Sequence, residues 1–190
     1  MHGYMPPSDT AESVTSGHPD KLCDAISDAI LDECLRIDSN ARVAVETMVK
    51  GIGGEAVIIL AGEVSLNGRT PDYERIARDK ATSIGYIDSR IGMDASSSEL
   101  CDVLTYITTQ SQFISQGVDG NLDTQGAGDQ GVMFGYACIE TEQTEELRGR
   151  FFPLAAALSQ RLTRRLEQVH DEQIIPWIRP DGKSQVTVQI

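Results

Sequence analysis

Two adjacent stretches of this chain carry apolar residues at different periods, and together they commit it to helix and strand in one fold. Leu22, Ala25, Ile26, Ala29, Ile30, Cys34 and Ile37 recur every three or four residues with Asp24, Asp28, Asp32 and Arg36 opposite them, the pattern of an amphipathic helix. From Arg42 to Lys50 the period drops to two. Val43, Val45, Thr47 and Val49 alternate with Ala44, Glu46 and Met48, as in a strand. Gly51-Ile52-Gly53-Gly54 reads as a turn into the continuous apolar run Ala56 to Ala61, which predicts a hairpin whose second strand is buried on both faces. A second helix is predicted from Tyr73, Ile76, Ala77, Ala81 and Ile84, opened by Pro71 and Asp72 and stopped by Gly85. A third strand is expected over Leu100 to Ile107.

Beyond Thr108 the character changes. As far as Gly131 the chain is Gln, Ser, Gly and Asp with almost no periodicity, a loop of a length usually tied to function or disorder. Val132 to Cys138 resumes a strand pattern, and the acidic run Glu140 to Glu146 reads as solvated. Leu154, Leu158, Leu162, Leu166 and Val169 mark a third helix, with Arg161, Arg164 and Arg165 on a solvated face. Two strand-like pieces follow, Ile174 to Ile178 and Ser184 to Ile190, joined by a turn at Pro180-Asp181-Gly182-Lys183. The last piece ends in apolar alternation without a turn, cap or polar tail, so the natural polypeptide is expected to be longer or to be completed by a second chain.

Composition narrows the function classes. A chain of 190 residues suffices for one large domain or one and a half smaller ones, and the 40% hydrophobic content is that of a globular protein. Nothing approaches the run of roughly 20 apolar residues that a membrane span needs, and Met1 to Asp9 has no basic segment followed by an apolar one. A cytoplasmic protein with no membrane partner is expected. Cys23, Cys34, Cys101 and Cys138 form no C-x-x-C pair, which favours reduced, packed thiols. The formal charge of −13 argues against nucleic acid. It also means that a polyphosphate ligand would need metal ions or another polypeptide to balance its charge.

The candidate chemistry begins at Gly17-His18-Pro19-Asp20-Lys21. Proline has a preset φ and no N–H, so it suits the first helical position, which places His18 near the cap and Asp20 and Lys21 in the first turn. Free N–H groups and the positive dipole end attract an anion there. His18 can donate to a phosphate oxygen, Lys21 can neutralise one, and Asp20 can hold Mg²⁺. By spacing alone, an ordinary capped surface helix fits equally well. Gly126-Ala127-Gly128-Asp129-Gln130-Gly131 satisfies G-x-G-x-x-G, but a loop precedes it and a strand-like segment follows, the reverse of the dinucleotide context. Glu46 suits either a solvated sheet face or a cation ligand. Glu63, after Gly62 at a strand end, suits a functional carboxylate or a structural one. Lys183, past its turn, reads as a surface lysine.

Taken together, Glu12-Ser13-Val14, Gly17-His18-Pro19-Asp20-Lys21, Asp24, Ile26-Ser27-Asp28-Ala29, Gln116-Gly117-Val118-Asp119, GAGDQGVMFGY from Gly126 to Tyr136, and the run from Trp177 to Thr187 resemble S-adenosylmethionine synthetases. The order and separations agree along nearly the whole chain. The resemblance implies an α+β fold of repeated two-layer domains with mixed sheets: an N-terminal domain over 9–110, a mobile loop and linker over 111–124, and an incomplete central domain over 125–190. It implies adenosyl transfer from ATP to L-methionine, with Mg²⁺ and K⁺ as cofactors. The expected assembly is a homodimer or dimer of dimers with active sites between subunits, or a pairing with a second chain that supplies the missing half. By the same resemblance, His18 and Lys183 are catalytic, and His18, Asp181, Gly182 and Lys183 bind ATP. Glu63, Gln110 and Asp129 meet methionine, Asp20 ligates Mg²⁺ and Glu46 ligates K⁺. Gln112-Phe113 departs from the family's proline and aspartate in the mobile loop. Several of the family's ATP-binding lysines and arginines lie beyond Ile190, so little activity is expected of this chain alone. The alternative is a non-catalytic half-subunit that binds nucleotide or a full-length synthetase and regulates it.

Overall fold

The computed structural model describes residues 8–109 and 131–189. In chain order the elements are β1 (Ser8–Val14), α1 (Pro19–Ile37), β2 (Arg42–Ile52), β3 (Glu55–Ser65), α2 (Tyr73–Ile84), β4 (Ile87–Asp88), a 3-10 turn (Ser89–Ile91), β5 (Met93–Asp94), β6 (Cys101–Thr108), a second 3-10 turn (Glu145–Leu147), α3 (Leu154–Asp171) and β7 (Lys183–Gln189). The described residues fall into two compact units, one from Leu22 to Phe134 and one joining the residues up to Lys21 with those from Gly135 onward.

In the first of these, β2 and β3 form the expected antiparallel hairpin and β6 lies parallel to β3, a mixed three-stranded sheet in the order β2-β3-β6. A parallel neighbour needs a crossover rather than a turn, and the stretch containing α2 provides it. Leu22, Ile26, Ile30 and Cys34 of α1 and Ala77 and Ala81 of α2 join Ile58, Leu60 and Val64 of β3 in one buried cluster. The helices therefore cover one face of the sheet. α2 has the ends its sequence predicts: Asp72 accepts a hydrogen bond from the Arg75 N–H at 3.0 Å, and Gly85 and Tyr86 N–H groups donate back to Thr82 and Ala81 carbonyls. Arg78 donates to Ala95 and Cys101 carbonyls, tying α2 to the chain around β5 and β6.

The other face of this sheet corrects the expectation that β3 is buried on both sides. Met48, Leu104 and Tyr106 stand on that face and are exposed, Tyr106 at 63%. The apolar run reflects the sheet's composition on both faces, but only one face meets helices within the unit.

The second unit is a two-stranded antiparallel sheet of β1 and β7 with α3 against it. The later part of the chain departs from its sequence pattern in several places. The leucine stripe of α3 is not its buried face, since Ala155, Ser159 and Thr163 are buried whereas Leu158 and Leu162 are exposed. Side-chain chemistry explains the choice. Ser13 Oγ lies 2.8 Å from Thr163 Oγ1 and Ser184 Oγ donates to the Ser159 carbonyl at 2.8 Å, so small polar residues let helix and strands approach closely. Ile174 to Ile178 runs through bends and turns rather than a strand, so Pro180 to Gly182 leads into β7 without joining two strands as a hairpin. Val132 to Cys138 joins no sheet among the described residues and so forms no regular strand.

The acidic run is also not simply solvated. Glu142 accepts from the Gly149 and Phe151 N–H groups at 2.9 Å each, Glu140 accepts from the Leu154 N–H opening α3, and Glu146 pairs with Arg161 at 3.0 Å. Carboxylates close in sequence are satisfying backbone donors, one of them at a helix start.

Candidate functional site

The entry to α1 and the approach to β7 form one corner of the second unit. Thr15, buried, donates its hydroxyl to the Pro180 carbonyl at 2.6 Å, while its N–H donates to the Gly182 carbonyl at 2.9 Å. Between these bonds sits Gly17, where an added Cβ would lie 2.4 Å from the Pro180 carbonyl carbon. Only a residue without a side chain permits that approach. Glu167 of α3 accepts from the Ser16 N–H and hydroxyl, which fastens the same turn from the helix side.

That turn sets His18 at the N-cap of α1, with Pro19 at the first helical position as its φ requires. His18 Nδ1 accepts from the Asp20 N–H at 3.3 Å, the cap bond a serine or aspartate ordinarily makes. In the neutral ring this assigns the proton to Nε2, leaving that nitrogen as a donor. The imidazole is 23% exposed, and the Asp20 carboxylate, 3.8 Å from Nδ1, is 89% exposed. Across the corner Lys183 Nζ meets Glu12 Oε2 at 2.6 Å, a half-exposed pair between neighbouring strands. Asp181 is exposed and Gly182 is held under Leu166. His18, Asp20, Asp181, Gly182 and Lys183 are thus brought together within one unit.

Glu46 and Glu63 belong to the other unit. Glu46 faces Ala61 and Glu63 faces Ala44 in the β2/β3 register, so the two carboxylates are diagonal neighbours on the sheet face away from the helices. Gly62, beside Glu63, has φ 147°, and a Cβ there would lie 2.0 Å from the Ala44 carbonyl oxygen. Gln110 and Asp129 lie outside the described residues, as do the Gln112-Phe113 departure and Gly126 to Gln130 of the glycine motif.

The donor chemistry of Asp20 suits Mg²⁺. A lone, solvent-facing carboxylate is how this ion is commonly held, with water and substrate phosphates filling the remaining positions. Among the described residues no three His, Cys, Asp or Glu side chains gather into a cage for a metal. Sequence reasoning missed Thr15 and Glu167, which position the corner without touching its open side. Neither carries a motif signal, because their partners lie more than a hundred residues away.

A mixed sheet with helices against one face, and a histidine-capped helix start beside a lysine-bearing strand, define an α+β protein with a polar corner at a helix start. Residues 8–112 match the S-adenosylmethionine synthetase N-terminal domain and residues 124–190 match the central domain. The S-adenosylmethionine synthase of Brachyspira hyodysenteriae is 46% identical over 189 residues, covering 95% of this chain and 44% of the relative. The chain belongs to the S-adenosylmethionine synthetase family, and it spans less than half the length of that relative.

Proposed function

We propose that the corner binds the triphosphate of ATP and that this chain contributes to adenosyl transfer onto the sulfur of L-methionine. The observation that carries the reading is the pinned corner itself. Thr15, Gly17 and Glu167 hold a histidine donor, a carboxylate and a lysine at one helix start, inside a chain of this family.

In the reaction the thioether sulfur attacks the 5′ carbon of ATP, the carbon–oxygen bond breaks, and sulfonium and triphosphate are formed. Water then cleaves the triphosphate to pyrophosphate and phosphate. Negative charge grows on the departing oxygen. His18 Nε2–H donates to the phosphate oxygens, and the helix start adds its unpaired N–H groups. Lys183, by leaving Glu12 for the phosphate chain, adds a full positive charge where the ion pair with Glu12 is worth little. Asp20 would hold Mg²⁺, which supplies further neutralisation of the leaving group. Glu63, Gln110 and Asp129 as methionine contacts and Glu46 as a K⁺ ligand complete the proposal, on the strength of the family resemblance. So do the domain limits, the cytoplasmic location and a dimeric or two-chain assembly.

The test is calorimetric titration of the chain with Mg-ATP and then L-methionine. Saturable ATP binding that weakens at least about tenfold in His18→Ala and in Lys183→Ala is expected, since each removes one charge-assisted or ionic contact. Equal ATP affinity in both variants overturns the reading.

A further inference from the structure

The second unit holds a cavity of about 320 Å³ that uses none of the corner's residues. One wall is a face of α3 carrying Ala157, Arg161 and Arg164, and the other is the segment leading into that helix, with Leu147, Arg150 and Phe152. We propose that it binds a small organic anion, one carboxylate or phosphoryl head on an apolar body.

Charge is the first argument. In a chain with 29 acidic and 16 basic residues, three arginines line one cavity whose only acidic lining residue is Glu146. That carboxylate is engaged by Arg161 at 3.0 Å. Among the described residues, the Arg150 and Arg164 side chains have no hydrogen-bond or ion-pair partner. A guanidinium presents a planar fork that matches the two oxygens of a carboxylate or phosphoryl group.

Rigidity is the second. The segment bearing Arg150 and Phe152 is held from behind: Glu142 accepts from the N–H groups of Gly149 and Phe151, the buried Thr141 hydroxyl donates to the Phe152 carbonyl at 2.6 Å, and the Cys138 N–H donates to the Phe151 carbonyl at 3.0 Å. The opposite wall is an α-helix. Two walls held at the backbone, with three arginines lining the space between them, exist before any ligand arrives, which lowers the ordering cost of binding.

The lining selects the ligand class. Leu147, Phe152 and Ala157 offer apolar surface that a bare inorganic ion would leave wet. The volume lies at the lower end of small-molecule pockets, about 300 to 1,000 Å³, and limits the body to roughly the size of one ring.

Phenyl phosphate and phenylacetate serve as probes, with inorganic phosphate as the comparison, titrated calorimetrically into the full chain. Saturable binding of at least one aromatic probe, tighter than inorganic phosphate, is expected. In Arg150→Gln/Arg164→Gln that affinity falls at least about tenfold, and in His18→Ala it does not change. Phenylglyoxal labelling of the unmutated chain, mapped by mass spectrometry, gives a second readout independent of the variant's folding: the bound probe protects Arg150 and Arg164. No saturable binding, undiminished binding in the double variant, loss of binding in His18→Ala instead, or unchanged labelling of both arginines overturns the proposal.

Discussion

Gly17 shows how a single missing side chain decides the site. The helix start could adopt its turn with alanine, but the Pro180 main chain occupies the volume of a Cβ. Neither strand nor helix can yield cheaply, because Thr15 bonds both Pro180 and Gly182 and Glu167 holds Ser16. Gly17→Ala is expected to destabilise the unit by roughly 1–3 kcal/mol, the usual range for overpacking. Urea unfolding followed by circular dichroism measures it, and an unchanged midpoint contradicts the close approach. His18 itself was legible from the sequence, since proline after it fixes the helix start. Its cap bond to the Asp20 N–H was not, because histidine is rarely the acceptor at that position.

Elements were readable in proportion to how local their signals are. α2 has Asp72 before it, two apolar turns within it and Gly85 after it, and the structure begins and ends it at those residues. Asp72→Ala removes the acceptor for the Arg75 N–H and should cost about 1 kcal/mol, measured as a fall in thermal or urea midpoint with no change in the three-stranded sheet. α3 was equally visible as a helix, but which of its faces is buried was not. A stripe of leucines at every fourth residue promises a buried seam, yet the strands beneath it carry Ser13 and Ser184, whose hydroxyls are met by Thr163 and Ser159. β1 had no local signal strong enough to predict it. Its partner β7 begins at Lys183, far along the chain, and a strand exists only where its hydrogen bonds are answered.

At the scale of the whole molecule, the acidic balance meets a small number of organised carboxylates. Hydrogen bonding from Arg36, and the charges of Arg36, Arg69 and Arg75, hold the Glu33 carboxyl below the usual range. Backbone donors Asn67 and Asn40 do the same for Asp38, which links the end of α1 to the end of β3. A carboxylate whose pKa is lower when folded stabilises the native state above its unfolded pKa. The contribution disappears as pH falls through the folded value. Thermal midpoints should therefore hold from neutral pH down to about pH 5 and decline below about pH 4. Asp38→Ala should melt lower at neutral pH and lose less on acidification. An equal acid decline in that variant would show that Asp38 is not part of the cause.

Periodicity and punctuation within the chain were enough to determine that helices and strands coexist, where α1, α2 and the β2/β3 hairpin lie, and that a helix start carries a histidine, a carboxylate and a lysine. These follow from local rules, in which each residue's neighbours are a few positions away. Tertiary structure alone decided that β1 pairs with β7, that α3 buries its small polar face, and that Pro180 to Lys183 closes on the start of α1. Such pairings depend on which hydrogen-bonding groups and surfaces meet after long stretches of chain have folded. No pattern confined to one stretch contains that information.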